Sequence, residues 1–283
     1  NENLKNEKIL NFLNNNEYLF SMIKNYELYT HLLKDLKKNR LIKFKKKINY
    51  SNITNNYKLI FNCDYKNLIT KKYFFKTIKK NYRSSAYTAI INHTKMKKND
   101  IAFQVFTQRG PFAFLPISKT KTSVVFSIKE LKSVKLEDLI KKYNTKYNIL
   151  KISSVSKFQL SSSSLRSYYY KNILAFGDLL HKIHPLAGQG FNMSIRDIGE
   201  IVKLIKSKLN NGLDLDQSIC LDFEKKTKHK NFIFSSGVDL IYEFFNFEKK
   251  FRNDFLIKFV KLLGKNNSIN KFFVKVADRG VIK

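Results

Sequence analysis

The sequence predicts an α/β fold that carries a separate antiparallel sheet and ends in helices. Two short apolar runs each end in a carboxylate, as buried parallel strands do at their carboxyl ends: residues 57–64 (YKLIFNCD) and residues 172–178 (NILAFGD). Residues 86–128 contain successive strand-like runs separated by turn signals, a pattern typical of an antiparallel sheet. After residue 190 nearly every window has helical periodicity.

The other elements follow from periodicity in the same way. Residues 24–38 repeat leucine at a helical spacing and predict an amphipathic helix. Residues 41–48 alternate like a half-exposed strand. A helix is predicted around residues 134–143, and a strand around residues 149–160.

The helix predicted to begin near Gly190 has the clearest pattern. Asn210-Asn211-Gly212 predicts its end. Its apolar residues step by four and three positions, which predicts one buried stripe along the helix. The stripe consists of Phe191, Ile195, Ile198, Val202, Ile205 and Leu209.

The charge balance restricts the partners. The chain has 54 Lys+Arg against 22 Asp+Glu, a net charge of +32, which would suit nucleic acid or an anionic membrane surface. The lysines are spread along the whole chain, and Lys, Asn, Ile, Phe and Tyr are residues of A/T-rich codons, so we interpret codon composition as the main cause. Because no nucleic-acid recognition motif accompanies the charge, we expect no specific nucleic acid.

Two further features bound the class of protein. No apolar run approaches the ~20 residues of a membrane span. Cys63 and Cys220 lie far apart and predict neither a disulfide framework nor a metal cluster. We therefore expect a globular protein in a reducing, cytoplasmic setting, with Cys63 buried as a small apolar residue.

One short stretch concentrates unusual backbone, with Gly177, Pro185, Gly188 and Gly190 close together. A glycine-rich turn before a helix leaves free N–H groups and the positive end of the helix dipole facing outward. Such a place accommodates a phosphate or an anionic ring edge. Asp178, at the carboxyl end of a strand, could accept hydrogen bonds from sugar hydroxyls. The alternative is a tight strand-to-helix turn in which the glycines serve only geometry.

The full stretch resembles the second flavin-binding motif of class A flavoprotein monooxygenases, in the form found in the ubiquinone-biosynthesis hydroxylases. That form reads Gly-Asp, then His-Pro-(small)-Ala-Gly-Gln-Gly-x-Asn, then Arg-Asp. Ser194 departs from it, standing where the family usually has Gly. The matching residues are Gly177, Asp178, His184, Pro185, Leu186, Ala187, Gly188, Gln189, Gly190, Asn192, Arg196 and Asp197.

The resemblance extends over most of the chain. Residues 102–117 are similar to a substrate-domain segment of the family, and residues 82–93 to the strand before it. Residues 237–247 and 273–280 resemble the family's closing helices. The three prolines of the chain all stand at family motif positions: Pro111, Pro116 and Pro185.

Two parts of the family pattern are missing or altered. The family begins with a strand–Gly-x-Gly-x-x-Gly–helix unit that holds the FAD pyrophosphate, and this fingerprint is absent from the sequence. We therefore interpret the chain as a fragment that binds FAD poorly by itself. The middle motif, usually Asp-Gly-x-x-Ser-x-x-Arg, keeps Asp64 and a positive charge at Lys71 but lacks the Gly and the Ser.

The resemblance implies a fold and a division into domains. The fold would be an FAD/NAD(P)-binding Rossmann-like α/β fold, incomplete at the N-terminus, with an inserted antiparallel-sheet substrate domain and a helical C-terminus. Residues 1–72 would be the remainder of the first part of the FAD-binding domain. Residues 73–165 would form the substrate-binding sheet domain, and residues 166–283 the second part of the FAD-binding domain with the C-terminal helices.

The resemblance also implies a function. FAD would be the cofactor, and NAD(P)H and O2 would be consumed in hydroxylating the aromatic ring of a polyprenylated phenol in ubiquinone biosynthesis. The protein would lie at the inner face of a membrane, with other ubiquinone-biosynthesis proteins as partners, and the antiparallel sheet would shield the flavin from water. No catalytic acid or base stands out. The implied cofactor-binding residues are Asp64, Gly177, Asp178, Pro185, Gly188, Gln189, Gly190, Phe191 and Asn192.

A second reading of the same resemblance is a degenerate, non-catalytic homologue that serves as a structural subunit of a ubiquinone-biosynthesis complex. The altered middle motif favours it, and the intact second motif opposes it. Two histidines, His181 and His184, have a spacing compatible with metal ligation, but no carboxylate or Cys lies at a ligand spacing. We expect structural or cofactor-lining roles for them, no metal, and a helix-packing ion pair between Arg196 and Asp197.

Overall fold

The computed structural model describes residues 21–50, 53–107, 109–129, 135–184 and 189–251 of the chain. The helices are α1 (Asn25–Lys38), α2 (Ile53–Asn56), α3 (Leu68–Tyr73), α4 (Leu136–Tyr143), α5 (Gln189–Asn210) and α6 (Gln217–Phe251), with a 3₁₀ turn at Gly177–Leu179. The strands are β1 (Ile60–Asn62), β2 (Thr77–His93), β3 (Phe103–Thr107), β4 (Gly110–Ser118), β5 (Lys121–Lys129), β6 (Ile149–Ile152), β7 (Ser156–Leu165), β8 (Tyr169–Tyr170), β9 (Ile173–Ala175) and β10 (His181–Lys182).

The chain divides into two compact units. The first comprises Asn1–Ile48 and Arg83–Gln159, and the second comprises Asn49–Tyr82 and Leu160–Lys283. The long strands β2 and β7 each contribute residues to both units.

The first unit is built on antiparallel strands in the order β3-β4-β5-β2, with β6 paired to the end of β2. Strands β3 and β4 meet at Gly110, where a side chain is excluded because an added Cβ would lie 1.7 Å from the Ser127 carbonyl oxygen. Alternate residues of the strands point to one face and bury a phenylalanine-rich core against α4. This core includes Ile91, Phe112, Phe114, Val124, Phe126, Leu136 and Ile140.

The second unit contains a small sheet in the order β1-β9-β8. Strands β1 and β9 are parallel, with Asn62 opposite Ala175, whereas β8 is antiparallel to β9. Strand β9 is the central strand of this sheet, and all three of its residues are buried. Its core partners come from helices α5 and α6 and include Ile201, Ile219 and Phe223.

The predicted class, an α/β fold with an antiparallel sheet and a helical later part, is confirmed. The prediction of a strand at residues 41–48 was wrong: these residues form neither helix nor strand, and Leu41 is 92% exposed. Alternation alone does not provide a strand with a pairing partner. The strand expected at residues 149–160 is two strands, β6 and β7, and β2 begins at Thr77 rather than near residue 86.

The predicted helix after residue 189 is present, but the prediction of its buried stripe was wrong. Five of the six stripe residues are exposed, and Ile205 is partly buried. The face that packs instead carries Met193, Asp197 and Ile201. Met193 packs with Phe234 of α6, and Ile201 joins the core of the second unit. The exposed residues are Phe191, Ile195, Ile198, Val202 and Leu209.

Helix α6 runs through the end of the described chain. Residues 237–247 lie within it, whereas residues 273–280 fall outside the described residues. Among the helices that the structure describes, none combines the length and the apolar character needed to cross a bilayer.

Candidate functional site

The candidate site begins where two parallel strands end. Asp64 follows β1, and Gly177 and Asp178 follow β9. Because β1 and β9 are parallel neighbours in register, the two loops leave the same edge of the sheet. The side chains of Asp64 and Asp178 are both exposed there. The structure therefore brings together three of the predicted cofactor residues at one sheet edge.

The turn after β9 requires its glycine. Gly177 has φ +63°, a left-handed conformation that costs other residues energy, and its carbonyl accepts a hydrogen bond from the Leu180 N–H at 2.9 Å. The N–H of Phe176 donates to the Asn62 carbonyl at 2.9 Å, which ties the turn to β1. Asp178 therefore lies in a hydrogen-bonded turn directly after β9.

The altered middle motif folds into a self-contained polar turn. Asn67 caps α3 by accepting a hydrogen bond from the Thr70 N–H at 2.8 Å, and its amide donates to Asn62 Oδ1 at 2.7 Å. Asn62 in turn donates to Thr70 Oγ1 at 2.8 Å. The Asp64 carboxylate accepts from the Lys66 N–H at 2.7 Å. We did not predict Asn62 or Thr70; a helix cap at Asn67 was the available signal for Thr70, and Asn62 carried no signal by itself.

The first turn of α5 supplies the other part of the site. Gln189 and Gly190 are half-buried, while Phe191 and Asn192 are exposed. Asn192 donates to Gln189 Oε1 at 3.2 Å. The first four N–H groups of a helix lack intrahelical partners, so this end presents donors and a positive dipole. Two predicted cofactor residues, Pro185 and Gly188, lie outside the described residues, as do Leu186 and Ala187.

A buried hydrogen bond connects the segment before this turn to the body of α5. His181 Nε2 donates to Asp197 Oδ2 at 2.5 Å, and Asn231 of α6 donates to Asp197 Oδ1 at 3.1 Å. The prediction that Asp197 pairs with Arg196 was wrong, because adjacent helical residues point in different directions. Arg196 instead lies over the ring of Phe234, 4.4 Å from its centroid, and burial lowers the pKa of its guanidinium.

His184 is buried beside a second polar cluster. Its ring meets that of Tyr82 edge-on, with centroids 4.5 Å apart. Burial lowers the pKa of His184 to about 4, with Lys80 lowering it further and Asp239 opposing the shift, so the ring is neutral at pH 7. The Tyr82 hydroxyl donates to Asp239. The Lys80 ammonium forms ion pairs with both Asp239 and Glu243 of α6.

His181 and His184 are thus both buried and in contact with side chains of the second unit. Within the described part of the chain, no three His, Cys, Asp or Glu side chains come close enough together to hold a metal ion. The prediction that Cys63 is buried was wrong: its side chain is exposed at the end of β1. Cys220, on α6, is buried, and burial raises the pKa of its thiol to about 12.

Comparisons with known proteins agree with this geometry. Residues 118–217 match the model of an FAD binding domain family. The chain is 25% identical over 229 residues to the mitochondrial ubiquinone biosynthesis monooxygenase COQ6 of Danio rerio, covering 65% of this chain and 47% of that protein. It is 27% identical over 157 residues to 3-demethoxyubiquinol 3-hydroxylase of Escherichia coli (strain K12), covering 52% of this chain and 40% of that protein.

The resemblance to the FAD-dependent hydroxylases of ubiquinone biosynthesis is confirmed. Solved structures show the same fold: the anhydrotetracycline hydroxylase OxyS from Streptomyces rimosus has a TM-score of 0.55 at 14% identity, covering 80% of this chain and 46% of that one. The p-nitrophenol 4-monooxygenase PnpA from Pseudomonas putida DLL-E4 has a TM-score of 0.58 at 8% identity, covering 77% and 58%. The chain spans about half the length of the curated relatives it matches.

FAD, the ligand named by the matching family model, fits the residues present. Exposed carboxylates at Asp64 and Asp178 can accept hydrogen bonds from hydroxyl groups, and the amino end of α5 suits an anionic ring edge. The Nδ1 atom of His181 is buried and has no hydrogen-bond partner among the described residues.

Proposed function

We propose that the protein hydroxylates the aromatic ring of a ubiquinone precursor, a polyprenylated phenol, using FAD, NAD(P)H and O2. One observation carries the proposal: the loops after two parallel strands and the amino end of α5 present Asp64, Asp178 and Gln189–Asn192 in one unit. The ubiquinone-related names of the two curated relatives support the choice of substrate class.

The residues would divide the work by their chemistry. When bound, the flavin supplies the redox and oxygen chemistry. Asp178, fixed by the rigid Gly177 turn, would hold a sugar hydroxyl. The free N–H groups and dipole at the start of α5 would stabilise negative charge on the reduced ring. His184, neutral because of its burial, would line this region without adding charge.

We place the protein at the membrane surface, as a peripheral partner. A prenylated substrate resides in the bilayer, and the net charge of +32 favours contact with acidic lipid, at about 1 kcal/mol for each Lys near the surface. Binding to acidic vesicles should therefore fall steeply as salt is raised, and neutral vesicles should bind far less. Equal, salt-insensitive binding to both vesicle types would show that charge does not mediate docking.

A non-catalytic structural subunit is the second candidate, and the middle motif favours it. Asn62, Asn67 and Thr70 form hydrogen bonds with one another. This turn therefore has fewer polar groups available to bind a ligand than an open loop would have. Asp64 keeps an exposed carboxylate. The two candidates differ in whether flavin binding is needed in the cell.

The experiment measures FAD affinity and cellular function in one set of variants. Asp178→Ala should weaken FAD binding roughly tenfold to a hundredfold, because a charged hydrogen bond is worth about 1.5–3 kcal/mol. The matched control is Asp214→Asn, which removes a carboxylate bonded to Lys58 on the same unit, 80% exposed, and should leave FAD binding unchanged.

Rescue of ubiquinone synthesis in a hydroxylase-deficient cell decides between the candidates. If Asp178→Ala loses both flavin and rescue while Asp214→Asn keeps both, the hydroxylase is supported. If Asp178→Ala loses flavin but still rescues, the structural subunit is the correct function. Failure of the protein to bind FAD, even when a Gly-x-Gly-x-x-Gly dinucleotide-binding unit of the family is joined to this sequence, would refute the cofactor assignment.

A further inference from the structure

Residues 36–48 begin in the last turn of α1, continue beyond it, and concentrate positive charge in the first unit. Seven of these thirteen residues are Lys or Arg and none is acidic, whereas the whole chain has 54 Lys+Arg and 22 Asp+Glu in 283 residues. The cations are Lys37, Lys38, Arg40, Lys43, Lys45, Lys46 and Lys47. Because all thirteen residues are exposed, this local density of charge faces solvent.

Apolar side chains are interspersed with these cations and are exposed as well. They are Leu36, Leu41, Ile42, Phe44 and Ile48. Leu41 is 92% exposed and lies in a turn: the Asn39 carbonyl accepts a hydrogen bond from the Ile42 N–H at 3.1 Å, and Asn39 Oδ1 accepts from the Leu41 N–H at 2.9 Å. Exposure of a leucine is unfavourable, since transfer of its side chain out of water releases free energy. A matching partner therefore offers both negative charge and an apolar phase.

Helix α1, which leads into these residues, is amphipathic and has no buried face. Its residues Leu28, Leu32 and Leu36 step by four positions and therefore lie on one side of the helix. None of the residues of α1 is buried by the described part of the chain. A helix of fourteen residues is marginal in water by itself, because packing of an apolar face supplies most helical stability in proteins. The leucine side of α1 thus extends the exposed apolar surface of residues 36–48.

We propose that residues 25–48, here called the docking segment, hold the protein on an anionic lipid bilayer. The cations lie at the lipid headgroups, and the leucines of α1 together with Leu41 and Phe44 enter the boundary between headgroups and acyl chains. A basic amphipathic helix is typical of such a membrane contact. The inference rests on the proposed location at a membrane surface, and it names the part of the chain that makes the contact.

Nucleic acid is the other polyanion that this charge could attract, and the apolar residues argue against it. Cations bind the phosphates of any nucleic acid, and exposed bases stack on aromatic rings. Four of the five apolar residues in positions 36–48 are aliphatic, and Phe44 is the single aromatic one. Aliphatic side chains offer no stacking surface to a base, whereas they gain free energy by entering a bilayer. The composition therefore favours lipid.

The first test removes charge from the docking segment of the full chain. One variant combines Lys43→Gln, Lys46→Gln and Lys47→Gln, and its affinity is measured for vesicles of an equimolar mixture of phosphatidylserine and phosphatidylcholine. Each Lys near an anionic surface raises the affinity about fivefold, so this variant should bind roughly a hundredfold more weakly at about 0.15 M salt.

The matched control removes the same charge from another part of the first unit. It combines Lys95→Gln, Lys119→Gln and Lys121→Gln, three exposed lysines around the β4–β5 turn. Because these lysines lie outside the docking segment, its affinity should change by less than about threefold. All the altered side chains are exposed, so both variants should keep the circular dichroism spectrum and the melting temperature of the unaltered protein.

The second test reports whether an apolar side chain of the segment enters the bilayer. The sequence contains no Trp, so Phe44→Trp introduces a single indole fluorophore. With the acidic vesicles its emission should shift to shorter wavelength and be quenched by brominated acyl chains, because the indole leaves water for an apolar phase. The control is Phe158→Trp in β7 of the same unit, where the ring is 56% exposed against 59% for Phe44. It should show neither change.

The outcomes separate the docking segment from the proposed function. If the unaltered chain binds acidic vesicles and the two triple variants bind them equally well, the segment is refuted while the membrane location stands. If the unaltered chain does not bind acidic vesicles, the location itself fails, and FAD binding still tests the hydroxylase.

Two further results would overturn parts of the inference. Vesicle binding without any change in the emission of Phe44→Trp would refute insertion of the apolar residues. If the variant of Lys43, Lys46 and Lys47 loses affinity for mixed-sequence RNA at about 0.15 M salt but keeps its vesicle affinity, the segment binds nucleic acid and the bilayer is refuted.

Discussion

The two faces of α5 contrast in a way that the composition of the helix does not suggest. The face with the regular apolar stripe, including Ile195, Ile198 and Val202, is exposed among the described residues. The face that is buried includes the carboxylate of Asp197, which is only 2% exposed. The two faces lie about a third of a turn apart around the helix.

The difference teaches that a neighbour, not hydrophobicity, decides which face of a helix is buried. Helix α6 packs along α5 on the side of Met193 and Ile201. The Asp197 carboxylate is tolerated there because His181 and Asn231 satisfy it. The apolar stripe has the composition of a buried surface but has no such neighbour among the described residues.

The largest expected effect is on the buried face. Ile201→Ala removes buried methyl and methylene groups next to Phe223 and leaves a cavity, so the free energy of unfolding should fall by about 2–5 kcal/mol. Urea titration followed by circular dichroism measures it. A loss below 1 kcal/mol would mean that α5 and α6 do not pack in solution as described.

The sequence predicted that α5 exists, from its periodicity, and where it ends, from Asn210-Asn211-Gly212. It did not predict which face of the helix is buried. Gly212, with φ +67°, ends the helix as predicted, with the Leu213 N–H donating to the Lys208 carbonyl at 2.9 Å. The buried face depends on α6, a non-local element that no short window contains. The same limit explains the false strand at residues 41–48, where the pattern alternates but pairing is absent.

The next effect concerns His184, a buried side chain in the segment before α5. The pKa of His184 is lowered to about 4 in the folded protein against 6.5 for a free ring, so the unfolded chain takes up the proton first as pH falls. This stabilisation is complete above pH 6.5 and is lost between pH 6.5 and 4. It amounts to about 3 kcal/mol at most.

Unfolding free energies at pH 7 and at pH 4.5 measure this loss. His184→Gln should flatten the dependence on pH, since glutamine does not titrate. His229→Gln, a change at an exposed histidine of α6, is the matched control and should leave the slope as it is. An unchanged slope in His184→Gln would show that His184 is open to water.

The sequence could predict the site residues at the strand ends, but not the hydrogen bonds that hold the surrounding segments in place. Asp64 and Asp178 each follow an apolar strand, and parallel strands end at one edge, so their convergence follows from the sequence. The His181–Asp197 pair spans sixteen positions and joins a strand to a helix, a relation that spacing cannot indicate. Asn62 carried no signal by itself because its partners, Asn67 and Thr70, act only once α3 is capped.

The smallest expected effect is on the apolar stripe, and it decides the comparison. Ile198→Ala is the same truncation as Ile201→Ala on the same helix, but Ile198 is 46% exposed. It should change the free energy of unfolding by no more than about 0.5 kcal/mol, since surface changes cost little and Ala favours the helix slightly. The two variants are measured side by side, at two protein concentrations. A loss for Ile198→Ala close to that for Ile201→Ala would mean that the stripe is covered in solution. Dependence of that loss on concentration would identify the cover as a second copy of the chain.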